Sequence, residues 1–179
     1  MGKNIVVLFG SPRKDGNTDK LTAAFIDGAE SMGNAVTMFR VADMQIGGCL
    51  GCHHCFEEKG VCIQEDDMPQ ILSALRKADV MAMASPLYYF NVTAQIKLAI
   101  DRTFALYSET TPIKSAVLLM TAGNSGVEGC EGAVAMYNKM CALSKWDPAG
   151  VVIAGGLHGK NDIAGRIELE EARTLGQGI

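Results

Sequence analysis

Apolar residues along the chain fall into five short runs, separated by stripes with helical spacing. The runs at 5–9 (Ile-Val-Val-Leu-Phe), 35–41, 78–84, 115–120 and 151–154 are rich in aliphatic and β-branched residues. Turn residues bound them, which is the pattern of buried strands. Leu21, Ala24, Phe25, Gly28, Ala29 and Met32 recur three and four residues apart and make one helix face. Met68, Ile71, Leu72 and Leu75 make a second stripe, opened by Asp66 or Asp67 with Pro69 in its first turn. Ile96, Ala99, Ile100, Thr103 and Phe104 mark a third, and Cys130, Ala133, Val134, Tyr137, Met140 and Cys141 a fourth. A last helix opens at Asn161 or Asp162, carries Ile163, Ile167 and Leu175, and ends near Gly176. The stretch 42–66 shows little regular period.

Strands that are apolar throughout and alternate with helices predict a parallel sheet covered on both faces. With right-handed crossovers the fold class is α/β, doubly wound, and five strands fit the flavodoxin-like order 2-1-3-4-5. The expected organisation is one domain over 1–179 with an irregular loop at about 42–66. In such a sheet, ligands bind at the carboxyl ends of the strands. The loops at 10–18, 85–91 and 121–126 should therefore converge, and the loop at 42–66 leaves from the same edge.

Composition narrows the function classes. The chain has 179 residues, 48% hydrophobic and 20% charged, with a net charge of −4. That is a globular balance without the basic surface of a nucleic-acid binder. No apolar run is long enough to span a membrane, and no cleavable leader is evident, so cytoplasm is the expected location.

The loop at 10–18 reads Gly-Ser-Pro-Arg-Lys-Asp-Gly-Asn-Thr, between a strand and a helix start. Glycines allow close backbone approach, helix-start amides face an anion, and Ser11, Arg13, Asn17 and Thr18 add donors. A plain polar turn with Asn17 or Thr18 as helix cap has the same composition. The spacing is neither that of Walker A nor that of the dinucleotide fingerprint. The loop does resemble the FMN phosphate loop of the NADPH-dependent FMN reductase group. The loop Ser-Pro-Leu-Tyr-Tyr-Phe-Asn at 85–91, with the helix after it, is similar to that group's isoalloxazine loop. The resemblance runs from Lys3 to about Gly176 and implies flavin contacts from Pro86, Leu87, Tyr88, Tyr89, Phe90 and Asn91. It also implies a third flavin-facing loop at Thr121, Ala122 and Gly123. Asp101 and Arg102 read as a structural ion pair or cap rather than a catalytic pair, and His158 receives no role.

Cys49, Cys52, Cys55 and Cys62 give Cys-x2-Cys-x2-Cys-x6-Cys. Thiolates at this spacing can turn onto one centre, and four complete a [4Fe–4S] cluster or a zinc site. Free or redox-active thiols are the other reading, and His53 and His54 are either substitute ligands or solvent-facing residues. The pattern resembles the compact motif of the iron–sulfur flavoproteins. Cys130 and Cys141, in a helical stripe, read as small core residues.

The expected function is an FMN-dependent oxidoreductase with NAD(P)H or a ferredoxin-type protein as electron donor. Its partners are small-molecule or protein electron donors and acceptors. A cluster would sit beside the flavin edge. The resemblance implies a homodimer or homotetramer, with neither nucleic acid nor membrane as partner. Two other classes share these features: a non-catalytic electron carrier of flavodoxin type, and a metal- or partner-binding protein on a retained fold. No side chain is expected to act as a catalytic proton donor.

Overall fold

The structure is a computed structural model that describes residues 2–124 and 127–179. Five parallel strands form one sheet in the order β2-β1-β3-β4-β5: β1 Asn4–Phe9, β2 Ala35–Arg40, β3 Val80–Pro86, β4 Ser115–Thr121 and β5 Asp147–Ala154. This is the order that the apolar pattern predicts. The period of two along each strand separates the core into two layers. Ile5, Val7, Phe9, Ala82, Ala84, Val117 and Leu119 face α1 (Asn17–Ser31) and α6 (Ile167–Gln177). Val6, Leu8, Met81, Met83, Leu118 and Met120 face α3 (Met68–Leu75), α4 (Ala94–Arg102) and α5 (Glu131–Ser144).

Two strands depart from the predicted bounds, and β3 covers Val80–Pro86 rather than 78–84, taking in Ser85 and Pro86 from the expected loop. β5 begins at Asp147, ahead of the apolar run, and its register with β4 shifts between Ala116 and Val117. Pro148 sits at this irregularity, where an edge strand tolerates a missing amide. Tyr137 from α5 closes the gap, donating its hydroxyl to Ala116 O at 2.7 Å. Burial pushes the Tyr137 phenol up to about 12, so it remains a donor. Cys130 and Cys141 are buried on the same layer, as expected for core residues.

Helix starts also differ. Gly16, not Asn17 or Thr18, is the N-cap of α1, and its amide donates to Asp19 Oδ2 at 3.1 Å. Met32, placed on that helix face by its spacing, lies past the end of α1 and is exposed. The last helix starts at Ile167 rather than at Asn161 or Asp162. Asp162 instead folds a turn, its carboxylate accepting from the amides of His158 and Gly159. At α3, Asp67 holds the cap position, while Asp66 Oδ1 accepts from Met68 N at 3.0 Å.

Candidate functional site: a cavity at the carboxyl edge and a cysteine loop

A cavity of about 620 Å³ opens at the carboxyl ends of β1, β3, β4 and β5. Ser11, Arg13, Asn17, Thr18, Pro86, Leu87, Tyr88, Thr121, Ala122 and Gly123 all line it, as the sequence predicts. Tyr89, Phe90 and Asn91 do not. They form the turn beyond it, where Tyr88 N donates to Asn91 O and Asn91 N to Tyr88 O. Tyr89 and Phe90 both hold positive φ, 50° and 66°, and Tyr89 is 99% exposed. A two-residue hairpin demands that backbone but favours Asn and Gly in it. Ser125 and Gly126, expected in the third loop, lie outside the described residues.

The loop at 10–18 is fixed from below and from the side. Gly10 N donates to Ala84 O at 2.8 Å, and Thr93 Oγ1 at the start of α4 donates to Gly10 O at 2.8 Å. Gly10 must lack a side chain, because a Cβ there would stand 2.7 Å from both Thr93 Oγ1 and Ile96 Cβ. Arg40, at the end of β2, lies 4.4 Å over the Phe9 ring, pairs with Asp19 at 2.5 Å and donates to Arg13 O. Asp19 is thereby neutralised beside the loop.

Two of the predicted donors are occupied within the fold. Asn17 donates to Gly159 O at 2.7 Å and accepts from Ile163 N, tying α1 to the loop after β5. Thr18 and Thr121 share a buried hydroxyl–hydroxyl bond of 2.7 Å. Ser11 accepts only a long bond from Arg13 N, 3.3 Å, which leaves its proton to give. The first-turn amides of Asn17 and Thr18 have no partner within the helix, and both residues line the cavity.

Leu157, His158 and Lys160 were missed by sequence reasoning. They follow β5, so the same carboxyl-edge rule that found the other loops would have found this one. With Arg13 and Lys14 they give a lining that carries three formal cations and, among the described residues, no carboxylate. The lining therefore fits a mononucleotide such as FMN. Unpartnered amides, a free hydroxyl and uncompensated positive charge meet an anion, while Pro86, Leu87 and Tyr88 wall the adjoining space.

The cysteine loop lies elsewhere. It leaves β2, runs along α4 and is held at the far end of that helix. Arg102, the last residue of α4, donates to Gly47 O at 2.9 Å and pairs with Asp66 at 2.7 Å. Asp66 also accepts from Gly47 N at 2.9 Å, so both stems of the loop meet at one carboxylate. Burial opposes ionisation of Asp66, but the bonds from Arg102, Gly47 and Met68 outweigh it and hold the carboxyl below the usual range. Asp101 pairs with Lys97 instead, so the two neighbours are structural but are not each other's partner. Gly10 is bonded to the residue before α4 and Gly47 to its last residue. The nine residues of α4 span about 13 Å. The stems of the cysteine loop are thus clasped at the end of α4 away from Gly10.

Cys49 and Cys52 are exposed, Cys55 and Cys62 half-buried, and among the described residues no disulfide forms. Burial raises the Cys55 thiol, and the nearby sulfurs of Cys62, Cys49 and Cys52 raise it further. Among the described residues no three His, Cys, Asp or Glu side chains are drawn together as a metal site. His53 is exposed at φ 60° and His54 half-buried. Cys49 also borders a second cavity, of about 860 Å³, with Met81, Tyr107, Met140 and Trp146. Phe56 in α2 (His54–Glu57) packs on Phe104 and Tyr107 at ring distances of 5.2 and 6.3 Å. No described helix is long and apolar enough to cross a membrane.

Comparison with known proteins shows the family and the fold. A family model described as NADPH-dependent FMN reductase matches residues 3–156. An iron-sulfur flavoprotein of Archaeoglobus fulgidus is 33% identical over 177 residues, covering 97% of this chain and 77% of that protein. Another, of Methanocaldococcus jannaschii, is 30% identical over 186 residues, covering 98% and 94%. In fold the chain is similar to NAD(P)H:quinone oxidoreductase from Methanothermobacter marburgensis, with TM-score 0.77 and 21% identity over 99% of this chain and 96% of that one. It is also similar to an FMN-dependent NADH-azoreductase from Bacillus anthracis in complex with FMN, with TM-score 0.74 and 14% identity over 98% of each chain. A cation-lined cavity on a 2-1-3-4-5 sheet and a family match over most of the chain lead to one conclusion: this chain belongs to the NADPH-dependent FMN reductase family and is an FMN-dependent oxidoreductase.

Proposed function

We propose that this chain is a two-centre electron-transfer enzyme. NAD(P)H or a ferredoxin-type protein reduces FMN in the carboxyl-edge cavity. Cys49, Cys52, Cys55 and Cys62 would hold a [4Fe–4S] centre, which would supply one-electron transfer to a small-molecule or protein acceptor. The observation that carries the flavin assignment is the cavity lining, which has Arg13, Lys14 and Lys160 and no carboxylate among the described residues. The Cys-x2-Cys-x2-Cys-x6-Cys spacing and the iron-sulfur flavoprotein relatives support the second centre.

In this reading Ser11 gives its hydroxyl proton to the phosphate, Arg13 and Lys14 neutralise it, and the first amides of α1 complete its shell. Asn17 and Thr18 act indirectly, holding α1 against the loops after β5 and β4. Pro86, Leu87 and Tyr88 form one wall for the ring, with Tyr89, Phe90 and Asn91 as the turn that supports it. Thr121, Ala122 and Gly123 form the other wall. Bound there, FMN supplies the redox chemistry, taking electrons as a pair and releasing them singly. Tyr137 and the buried cysteines remain structural.

We read residues 1–179 as one domain carrying both centres, in the cytoplasm, where thiols stay reduced. A homodimer or homotetramer would set one copy's cysteine loop against its partner's flavin cavity. The separation along α4 and the exposed rings of Tyr89 and Phe90 favour such an assembly. Anaerobic purification with a visible spectrum, iron and sulfide analysis and NAD(P)H oxidation against ferricyanide tests the reading. Stoichiometric FMN with about four irons per chain and turnover is the expected result. Flavin without iron in the reconstituted protein would remove the second centre and leave a flavin reductase.

A further inference from the structure

Arg102 is 2% exposed, yet its guanidinium is only partly bonded. Of the five N–H donors in an arginine fork, Nη1 gives to Gly47 O at 2.9 Å and to Asp66 Oδ2 at 2.7 Å, and Nη2 gives to Asp66 Oδ1 at 3.1 Å. Nε has no acceptor, and it is the buried side-chain polar atom left without one among the described residues. Nε–H and the second Nη2–H make up the side face of the fork, turned away from the end that grips Asp66. Burial works against the Arg102 charge, but Asp66 and the adjacent Cys62 sulfur outweigh it. An unanswered donor inside a protein calls for an acceptor that the resting chain does not supply.

We propose that Arg102 is a positioning residue of the cysteine centre, its side face serving the sulfur of Cys62 once that sulfur is a metal-bound thiolate. The proposal rests on the four-cysteine centre put forward above. Its end face meanwhile pins the stems on either side, Gly47 just before Cys49 and Asp66 just after Cys62. One side chain thus fixes both ends of the ligand stretch and donates to one of its ligands. A bound thiolate centre is strongly negative, and one buried cation already spent on Asp66 can still give it a directed N–H. The role requires arginine. Lysine would keep the charge opposite Asp66 but has no planar fork to serve two faces at once.

Two measurements test this. Arg102→Lys and wild type are purified anaerobically and compared for FMN content, melting temperature, iron and sulfide per FMN, and the midpoint potential of the iron-linked absorbance. With FMN and melting retained, Arg102→Lys should hold iron about tenfold more weakly, the usual scale for losing a bond to a metal ligand. Whatever loads should show a lower potential, because hydrogen bonds to sulfur raise it. Equal iron retention and equal potential would overturn the proposal.

The second measurement uses the wild-type chain alone, loaded with cadmium-113 in place of iron. The Arg102 Nε–H resonance should move downfield and couple to the metal through sulfur. An unshifted, uncoupled resonance, or a chain that takes up no cadmium, would overturn the proposal. If wild type holds no iron, the iron–sulfur reading fails by itself, and the cadmium spectrum still decides the role of Arg102. The same spectrum decides it if the lysine variant does not fold.

Discussion

Ser11 and Thr18 are both 3% exposed and both line the flavin cavity, yet they spend their hydroxyls differently. Thr18 is locked to Thr121, whereas Ser11 keeps its proton available. Ser11→Ala should therefore weaken FMN binding by about tenfold, the scale of one hydrogen bond to a charged group, with little change in melting. Thr18→Val should lower stability by about 1–3 kcal/mol, since it strands the Thr121 hydroxyl in the core. Fluorescence-quenching titrations with FMN and denaturant curves separate the two effects. Asp66 and Glu109 set an acid limit. Bonds from Arg76 hold the Glu109 carboxyl below its usual range, and those from Arg102 do the same for Asp66. Depressed carboxylates stabilise above their unfolded values, and that contribution is lost as pH falls through the folded ones. Limited proteolysis should thus find residues 42–66 protected at neutral pH and cleaved below about pH 4.

At the scale of elements, the turn after β3 holds the clearest backbone strain. Tyr89 and Phe90 occupy the two positions of a hairpin that favours Asn-Gly. The double variant Tyr89→Asn, Phe90→Gly should raise stability by about 1–3 kcal/mol, read from the denaturation midpoint. Gly132, at the start of α5, lets this turn sit close: a Cβ there would stand 2.7 Å from Phe90 O. Much of the architecture was legible, because β1, β3 and β4 are buried on both faces and so read as unbroken apolar runs. β5 was legible only in its second half, since Asp147, Pro148, Ala149 and Gly150 lie on an exposed edge and carry no apolar signal. The start of α6 was misread because Asn161 and Asp162, good capping types, are used in a turn and a tie to Lys20. The cavity loops could be found by topology alone. The position of the cysteine loop could not, because it depends on a clasp between Arg102 and Asp66 that no local pattern announces.

For the molecule as a whole, the flavin cavity is roofed by loops that the two helical layers hold in place. Gly28 and Gly176 let α1 and α6 pack backbone against backbone, which seats the amide end of α1 at the cavity. If FMN binds the folded chain through these loops, as proposed, saturation at about a hundred times its dissociation constant should add about 2.7 kcal/mol to the unfolding free energy. Calorimetry of the protein with and without FMN checks this, and equal melting would count against the cavity as the flavin site. The sequence contains a single tryptophan, and Trp146 borders the same hollow as Cys49. Nature has thereby placed one indole lamp at the sulfur-bearing end of the molecule and none at the other. If the proposed metal centre forms there, ultraviolet emission of the unlabelled protein should dim as metal enters, and should sense the yellow cofactor only through longer-range energy transfer.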